Sequence, residues 1–181
     1  MSPLPGFLPD TSCPPPGRFP LSWSEVEAEL VRADRWSRST TRAGLWDELS
    51  MHVELVRSVV GQVSRIWLAG SFVSGKLDPC DIDLAYLIAP EALDSIRTDE
   101  ASIDYLDNLG RREWCVKQDM RVDAYMLRLP STADFRALGI AGAMVPGDDE
   151  VFQQLGLYDE IWQRCRAGGG TGRRGYVEVT L

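Results

Sequence analysis

The sequence predicts an α+β fold, close in pattern to an α/β arrangement: a small, mixed, twisted sheet flanked by helices. Two observations carry this. Short apolar runs of strand character recur at Ser64–Ala69 (SRIWLA), Ile82–Ile88, Met120–Leu127 (MRVDAYML) and Tyr176–Leu181. Between them lie segments with helical spacing of apolar residues, the longest at 44–61. The 181 residues, 44% of them hydrophobic, suit one compact domain with a real core.

Residues 1–20 hold Pro3, Pro5, Pro9, Pro14-Pro15-Pro16 and Pro20, which favours an extended arm over regular structure. Residues 21–181 then form the single domain, with its core at 44–127 and C-terminal helices and an edge strand at 131–181. Ser22 caps a helix starting near Trp23 and running to about Arg32, and Glu25 completes a capping box. In 44–61, Leu45, Leu49, Val53, Val56 and Val60 recur at three- and four-residue steps, and Gly61 stops the helix. His52 within it reads as a structural or surface residue. Gly70 and Ser71 open a tight turn after the first strand; Phe72–Gly75 reads as a short helical turn, followed by a loop through Asp78 and Pro79. Pro90–Ile96 is helical, with proline in its first turn. Residues 99–109 (DEASIDYLDNL) form another helix, acidic at its start and ended by Gly110. Val116 reads as part of a short strand or its approach. Thr132–Leu138 starts a helix, and 141–149 is looser. Val151–Arg164 holds the last helix, with Gly156 as a point of interruption. Ala167–Gly175 is a glycine-rich linker, and Tyr176–Leu181 is an edge strand. Trp46, Trp67, Trp114 and Trp162 are spread as core or half-buried residues are.

Composition narrows the function classes. The formal net charge is -8, and Lys76 and Lys117 are the only lysines. That balance argues against broad nonspecific binding to nucleic acid. Arg111-Arg112 and Arg173-Arg174 read as solvated loop or helix ends. His52 is the only histidine, so mechanisms needing several are excluded. Cys13, Cys80, Cys115 and Cys165 lack zinc-type spacing and are expected as reduced thiols. No apolar run has transmembrane length, and no signal-peptide pattern opens the chain. A cytoplasmic protein without a membrane partner is expected.

The chemistry concentrates in Ala69–Ile88, AGSFVSGKLDPCDIDLAYLI. Asp81 and Asp83 stand two apart at the start of a strand, so their side chains share one face while Ile82 and Leu84 point into the core. Two carboxylates this close repel one another, and a divalent ion removes that repulsion. Mg²⁺, or Mn²⁺, matches such hard oxygen donors. Asp123, flanked by Val122 and Ala124, supplies a third carboxylate if its strand lies beside Ile82–Ile88. Three acids can hold two ions in phosphoryl or nucleotidyl transfer. Gly70 permits close approach of a phosphate, Ser71 adds a hydroxyl donor, and Lys76 is a weaker phosphate candidate.

The combination of Gly70-Ser71, Asp81, Asp83 and a later Asp123 resembles the nucleotidyltransferase superfamily related to polymerase beta. GSFVSGKLDPCDIDL with RRGYVEVTL looks most like small bacterial and phage members of minimal fold, some of them related to toxin–antitoxin components. The resemblance is strong over roughly residues 44–127. It implies the nucleotidyltransferase fold, with Asp81, Asp83 and Asp123 as metal ligands and catalytic residues, and Gly70 and Ser71 holding the β,γ-phosphates. It also implies transfer of a nucleoside monophosphate from a nucleoside triphosphate to a hydroxyl, with release of pyrophosphate. The acceptor stays open between protein, small molecule and RNA. The chain after Asp123 offers no second domain of usual size, so the N-terminal arm, 98–118, 130–170 or a protein partner must shape the acceptor pocket. Retention of three acids favours the enzyme. The missing acceptor domain favours the alternative, a noncatalytic nucleotide- or partner-binding module such as one component of a toxin–antitoxin pair. A structural protein is the third possibility.

Overall fold

The computed structural model describes residues 4–130, 147–165 and 172–181. It shows a mixed α+β fold with a twisted five-stranded sheet flanked by helices. The chain opens with strand β1 (Gly17–Ser22) and helix α1 (Trp23–Glu27), which continues through a π-type turn at Ala28–Arg32 and a 3₁₀ turn at Asp34–Trp36. Helix α2 (Arg42–Val60), β2 (Arg65–Ala69) and β3 (Ile82–Ile88) follow, then α3 (Pro90–Ile96), α4 (Glu100–Leu109), α5 (Arg112–Lys117) and β4 (Val122–Arg128). The chain closes with α6 (Asp148–Trp162), a two-residue ribbon of β5 (Arg164–Cys165) and β6 (Gly172–Arg173), and β7 (Gly175–Thr180). Among the described residues, no helix is long and apolar enough to cross a membrane.

Local chemistry sets these boundaries. Ser22 and Glu25 form the expected capping box: the Glu25 amide donates to Ser22 Oγ, and the Ser22 amide donates to Glu25 Oε2 at 2.7 Å. Gly61, at φ +74°, ends α2. Asp99 caps α4, accepting from the Ser102 amide.

The sheet order is β1-β7-β2-β3-β4, with β1–β7 and β3–β4 parallel and the two inner pairings antiparallel. Ile66, Leu68, Ile82, Leu84, Tyr86, Val122, Ala124, Val177 and Val179 pack with Leu45, Leu49, Val53 and Val56 of α2 in one large core. The opposite face carries a smaller cluster, in which Trp67, Ala85, Leu87, Leu127 and Tyr176 meet Trp162 of α6. Strand β3 is thus covered on both sides, which explains its nearly continuous apolar run.

Several expectations are corrected. The arm is not wholly irregular: Gly17–Ser22 pairs with β7 and becomes the sheet edge, where Pro20 is tolerated. Consequently β7 is an interior strand rather than an edge. A Cβ on Gly175 would lie 2.4 Å from the Pro15 carbonyl oxygen, so only glycine lets the arm approach this closely. Phe72–Gly75 forms turns and bends instead of a helical turn. Val116 sits in α5, not in a strand. Helix α6 runs through Gly156 without interruption and starts already at Asp148, with Asp148, Asp149 and Glu150 at its N-terminus. Gly172–Arg173 pairs with Arg164–Cys165, so that part of the expected linker is ordered ribbon. The expected helix at Thr132–Leu138, the segment 141–146 and residues 167–171 lie outside the described residues.

Candidate functional site

Strand β2 ends at Ala69, which is in register with Asp83 on β3. The chain then reverses at Gly70, whose φ is +69°. A Cβ there would lie 1.7 Å from Asp83 Oδ2 and 2.7 Å from Asp83 Cγ. The Asp83 carboxylate therefore fills the space that any other residue's side chain would take. Sequence reasoning reserved that space for a phosphate; the structure gives it to the acid.

The turn after Gly70 is held by a residue that sequence reasoning missed. Arg42, in the first turn of α2, is only 1% exposed. Its Nη1 donates to the carbonyls of Leu30 and Phe72, both at 2.8 Å. Its Nη2 donates to those of Ser74 at 2.9 Å and Lys76 at 2.7 Å. The guanidinium also stacks 3.7 Å from the centre of a Trp36 ring. Burial pushes its pKa down to about 10, so it stays charged at neutral pH. These bonds explain why 72–76 is not helical: its carbonyls face one arginine instead of the amides of a next turn. Asp78 adds a second tie, accepting from the Thr40 amide at 2.7 Å and from Ser39 Oγ at 3.1 Å. Those bonds, the Thr40 amide foremost, hold its carboxyl below the usual range. No local pattern marks Arg42 in the sequence.

Asp83 and Asp123 are register partners on the adjacent parallel strands β3 and β4. Side chains at paired positions point to the same side of a sheet, and here it is the side away from α2. Asp81 precedes β3. All three carboxylates line one cavity of about 790 Å³ together with Gly70 and Ser71. Burial raises the Asp123 pKa; nearby Arg112 lowers it, and Asp81 and Glu113 raise it further. Among the described residues, no three His, Cys, Asp or Glu side chains are grouped so as to hold a metal ion. The acids thus share a cavity without forming a ready-made cage. Arg112 Nη2 donates to Asp81 Oδ2 at 3.1 Å. Of the Arg111-Arg112 pair, then, Arg111 stands at the N-cap position of α5 without a side-chain capping bond, and Arg112 pairs with Asp81.

Lys76 does not join them. Its side chain is exposed, with Nζ 3.7 Å from Cys80 Sγ, and it does not line the cavity. The cations that do are Arg164 and Arg174, one of them in the pair expected to be solvated. Tyr125 and Trp162 complete an aromatic side, their ring centres 5.7 Å apart. Among the described residues, the buried Trp162 indole N–H has no hydrogen-bond acceptor. Tyr125 follows Asp123 by two residues, so the alternation of a strand could have found it.

A family model matches residues 5–180, nearly the whole chain. The chain belongs to DUF6932, a family of unknown function. No curated protein and no solved structure matches it. DUF6932 membership therefore assigns no chemistry, and any activity must be argued from the cavity itself.

His52, the lone histidine, takes no part. It is buried in the α2 core, where Leu109 O, an acceptor only, requires the proton on Nε2 (2.9 Å). Nδ1 then accepts from the Tyr86 hydroxyl at 2.6 Å. Burial lowers the His52 pKa and raises that of Tyr86, keeping both neutral.

Proposed function

We propose that this chain is a divalent-cation-dependent nucleotidyltransferase with a polymerase-beta-like fold. It would move a nucleoside monophosphate from a nucleoside triphosphate to an acceptor hydroxyl. The observation that carries this reading is the side-by-side placement of Asp83 and Asp123 on parallel strands, with Asp81 and the Gly70-Ser71 turn on the same cavity.

The donor set fits a hard cation: three carboxylates, and a glycine that makes room for one of them. Asp81, Asp83 and Asp123 would hold Mg²⁺ or Mn²⁺, which when bound neutralises the phosphates and the developing charge. Ser71 would donate its hydroxyl to a phosphate oxygen. Arg112, more than half exposed, is free to turn from Asp81 to the triphosphate when a cation takes its place. Asp123, with its raised pKa, is suited to accept the acceptor's proton. The acceptor oxygen bonds to the α-phosphorus, the α–β bridge bond breaks, and pyrophosphate leaves.

The test is incubation of wild-type protein with Mg²⁺ or Mn²⁺ and each α-labelled triphosphate in cell extract. Label should pass to protein, RNA or a small molecule, and the Asp81→Ala/Asp83→Ala variant should lose about 100-fold or more. No transfer from any nucleotide would overturn the enzyme. If cation-dependent nucleotide binding then persisted, the chain would be a binding module, such as one half of a toxin–antitoxin pair. The Arg112–Asp81 ion pair, which already satisfies one acid, is the observation that favours this second reading.

Gly70→Ala supplies an independent check on the site's geometry. It should abolish transfer, because the new methyl displaces the Asp83 carboxylate. In an Asp83→Ala background the same change should destabilise by only about 1 kcal/mol, the strain of a positive φ. Equal destabilisation in both backgrounds would show that the turn does not need the glycine for Asp83.

A further inference from the structure

Cys13 and Cys165 are 152 residues apart in sequence, yet their sulfurs lie 3.9 Å apart. Both are buried, both are free thiols, and both line the cavity that holds the three acids. Each belongs to a segment with a defined place at that cavity. Cys13 lies in an N-terminal strap that bonds to two parts of the fold. The Gly75 amide, in the turn after Gly70-Ser71, donates to Ser12 O at 2.6 Å, and the Gly175 amide donates to Pro14 O at 2.9 Å. Cys165 closes the β5–β6 ribbon next to Arg164, itself a cavity residue. The other two cysteines are placed differently. Cys115 is buried beside His52 and Leu109 O, and Cys80 is exposed on the loop before Asp81.

We propose that Cys13 and Cys165 form a reversible dithiol–disulfide couple that staples the N-terminal strap to the ribbon at the cavity. The oxidant is a low-molecular-weight disulfide such as oxidised glutathione. One thiolate attacks it, giving a mixed disulfide and one glutathione thiol. The second cysteine then attacks the protein sulfur of that mixed disulfide and releases the second glutathione. Two protein thiols are oxidised, two glutathione thiols are produced, and the two protons end on them. Burial raises the Cys13 thiol above its usual range, with Cys165 adding to the shift and Arg174 opposing it. The reaction is accordingly slow near neutral pH and faster in mildly alkaline buffer. Because the closed loop spans most of the chain, the disulfide constrains the unfolded state strongly. The melting temperature should rise on the order of 10 °C.

The consequence for the cavity rests on the nucleotidyl-transfer reading. The staple fixes the side of the cavity bearing Arg164, so the two redox forms should differ in affinity for a Mg²⁺–triphosphate. The experiment treats the full-length protein with oxidised glutathione in its native state, followed by peptide mapping, thermal melting and Mg²⁺–triphosphate titration of both forms. A Cys13–Cys165 linked peptide, reversal by dithiothreitol and the higher melting temperature are expected. The linked species should vanish in Cys13→Ser and in Cys165→Ser alike, and persist in Cys80→Ser. Glutathione found only on Cys80, with no linked peptide and no thermal shift, would overturn the couple. A threefold or larger change in triphosphate affinity supports control of the cavity by the couple. Equal affinities with the disulfide present overturn that control. Should neither form bind nucleotide, the nucleotidyl-transfer reading fails, while the linked peptide and the melting shift still decide the couple.

Discussion

Polar and charged groups under α2 and at the cavity edge meet different surroundings. Under α2 they are tied to the protein itself, although among the described residues the buried Arg42 Nε has no acceptor. Arg42 gives four hydrogen bonds to four carbonyls, and His52 is satisfied at both ring nitrogens by Tyr86 and Leu109. At the cavity edge three carboxylates line one space. Asp83 and Asp123 stand side by side, Asp123 is raised in pKa, and Asp81 has an arginine more than half exposed as its partner. A buried polar group held by several protein partners serves the fold. Carboxylates that share a cavity repel one another, and a bound cation relieves that repulsion. The contrast separates charged groups tied into the scaffold from carboxylates set around a cavity.

The largest effect is expected at Arg42. Arg42→Met leaves the Leu30, Phe72, Ser74 and Lys76 carbonyls without their shared donor. The loss should be about 3 kcal/mol or more. Arg42→Lys should be nearly as damaging, because an ammonium cannot reproduce a planar fork. Urea denaturation of the three proteins checks this. A lysine variant as stable as wild type would break the comparison, since charge rather than geometry would then be holding the turn.

His52 comes next and has a sign that pH reveals. Its pKa in the folded state is lowered by burial, so below the unfolded value of about 6.5 the unfolded chain binds the extra proton. Stability should therefore decline as pH falls from about 6.5 toward the folded pKa, and level off below it. No other histidine contributes, because the chain has only one. His52→Gln should be less stable at pH 7.5 but flatter between pH 7.5 and 5.5. Parallel wild-type and variant curves would mean that the ring is accessible to protons when folded.

Much of this contrast is legible in the sequence, and the rest is not, for physical reasons. Strand β3 and helix α3 follow from short-range rules: an apolar run, a proline at a first turn, an alternation that puts Asp81 and Asp83 on one face. The capping box at Ser22 is equally local. Strand β1 is hidden because it contains Pro20, follows Pro14-Pro15-Pro16, and pairs with β7 at the other end of the chain. Pairing at that distance also moved β7 from the edge to the interior. Arg42 left no signal because its partners are carbonyls, which every residue carries. That Lys76 lies off the cavity is not legible either, because the Arg42 bond to its carbonyl, which holds that segment, comes from a distant helix. Cys13 and Cys165 each look unremarked alone, and only the fold brings them together.

The smallest effect separates two aspartates and sharpens the comparison furthest. The Asp78 pKa is lowered, foremost by the Thr40 amide, so its ionised form stabilises the fold. That contribution is present above the unfolded value of about 3.9 and is lost as pH falls through the lower folded value. Asp123 has the opposite sign. Burial raises its pKa, so stability is lost as pH rises from about 3.9 through the folded value, and at pH 7 the charge opposes folding. Asp78→Asn should thus lower the melting temperature at pH 7, and Asp123→Asn should leave it unchanged or slightly higher while removing nucleotide transfer. A melting temperature lowered equally by both changes would mean that Asp123 is likewise tied into the scaffold. The cavity acids would then be part of the scaffold, and their crowding would give no reason to expect a cation.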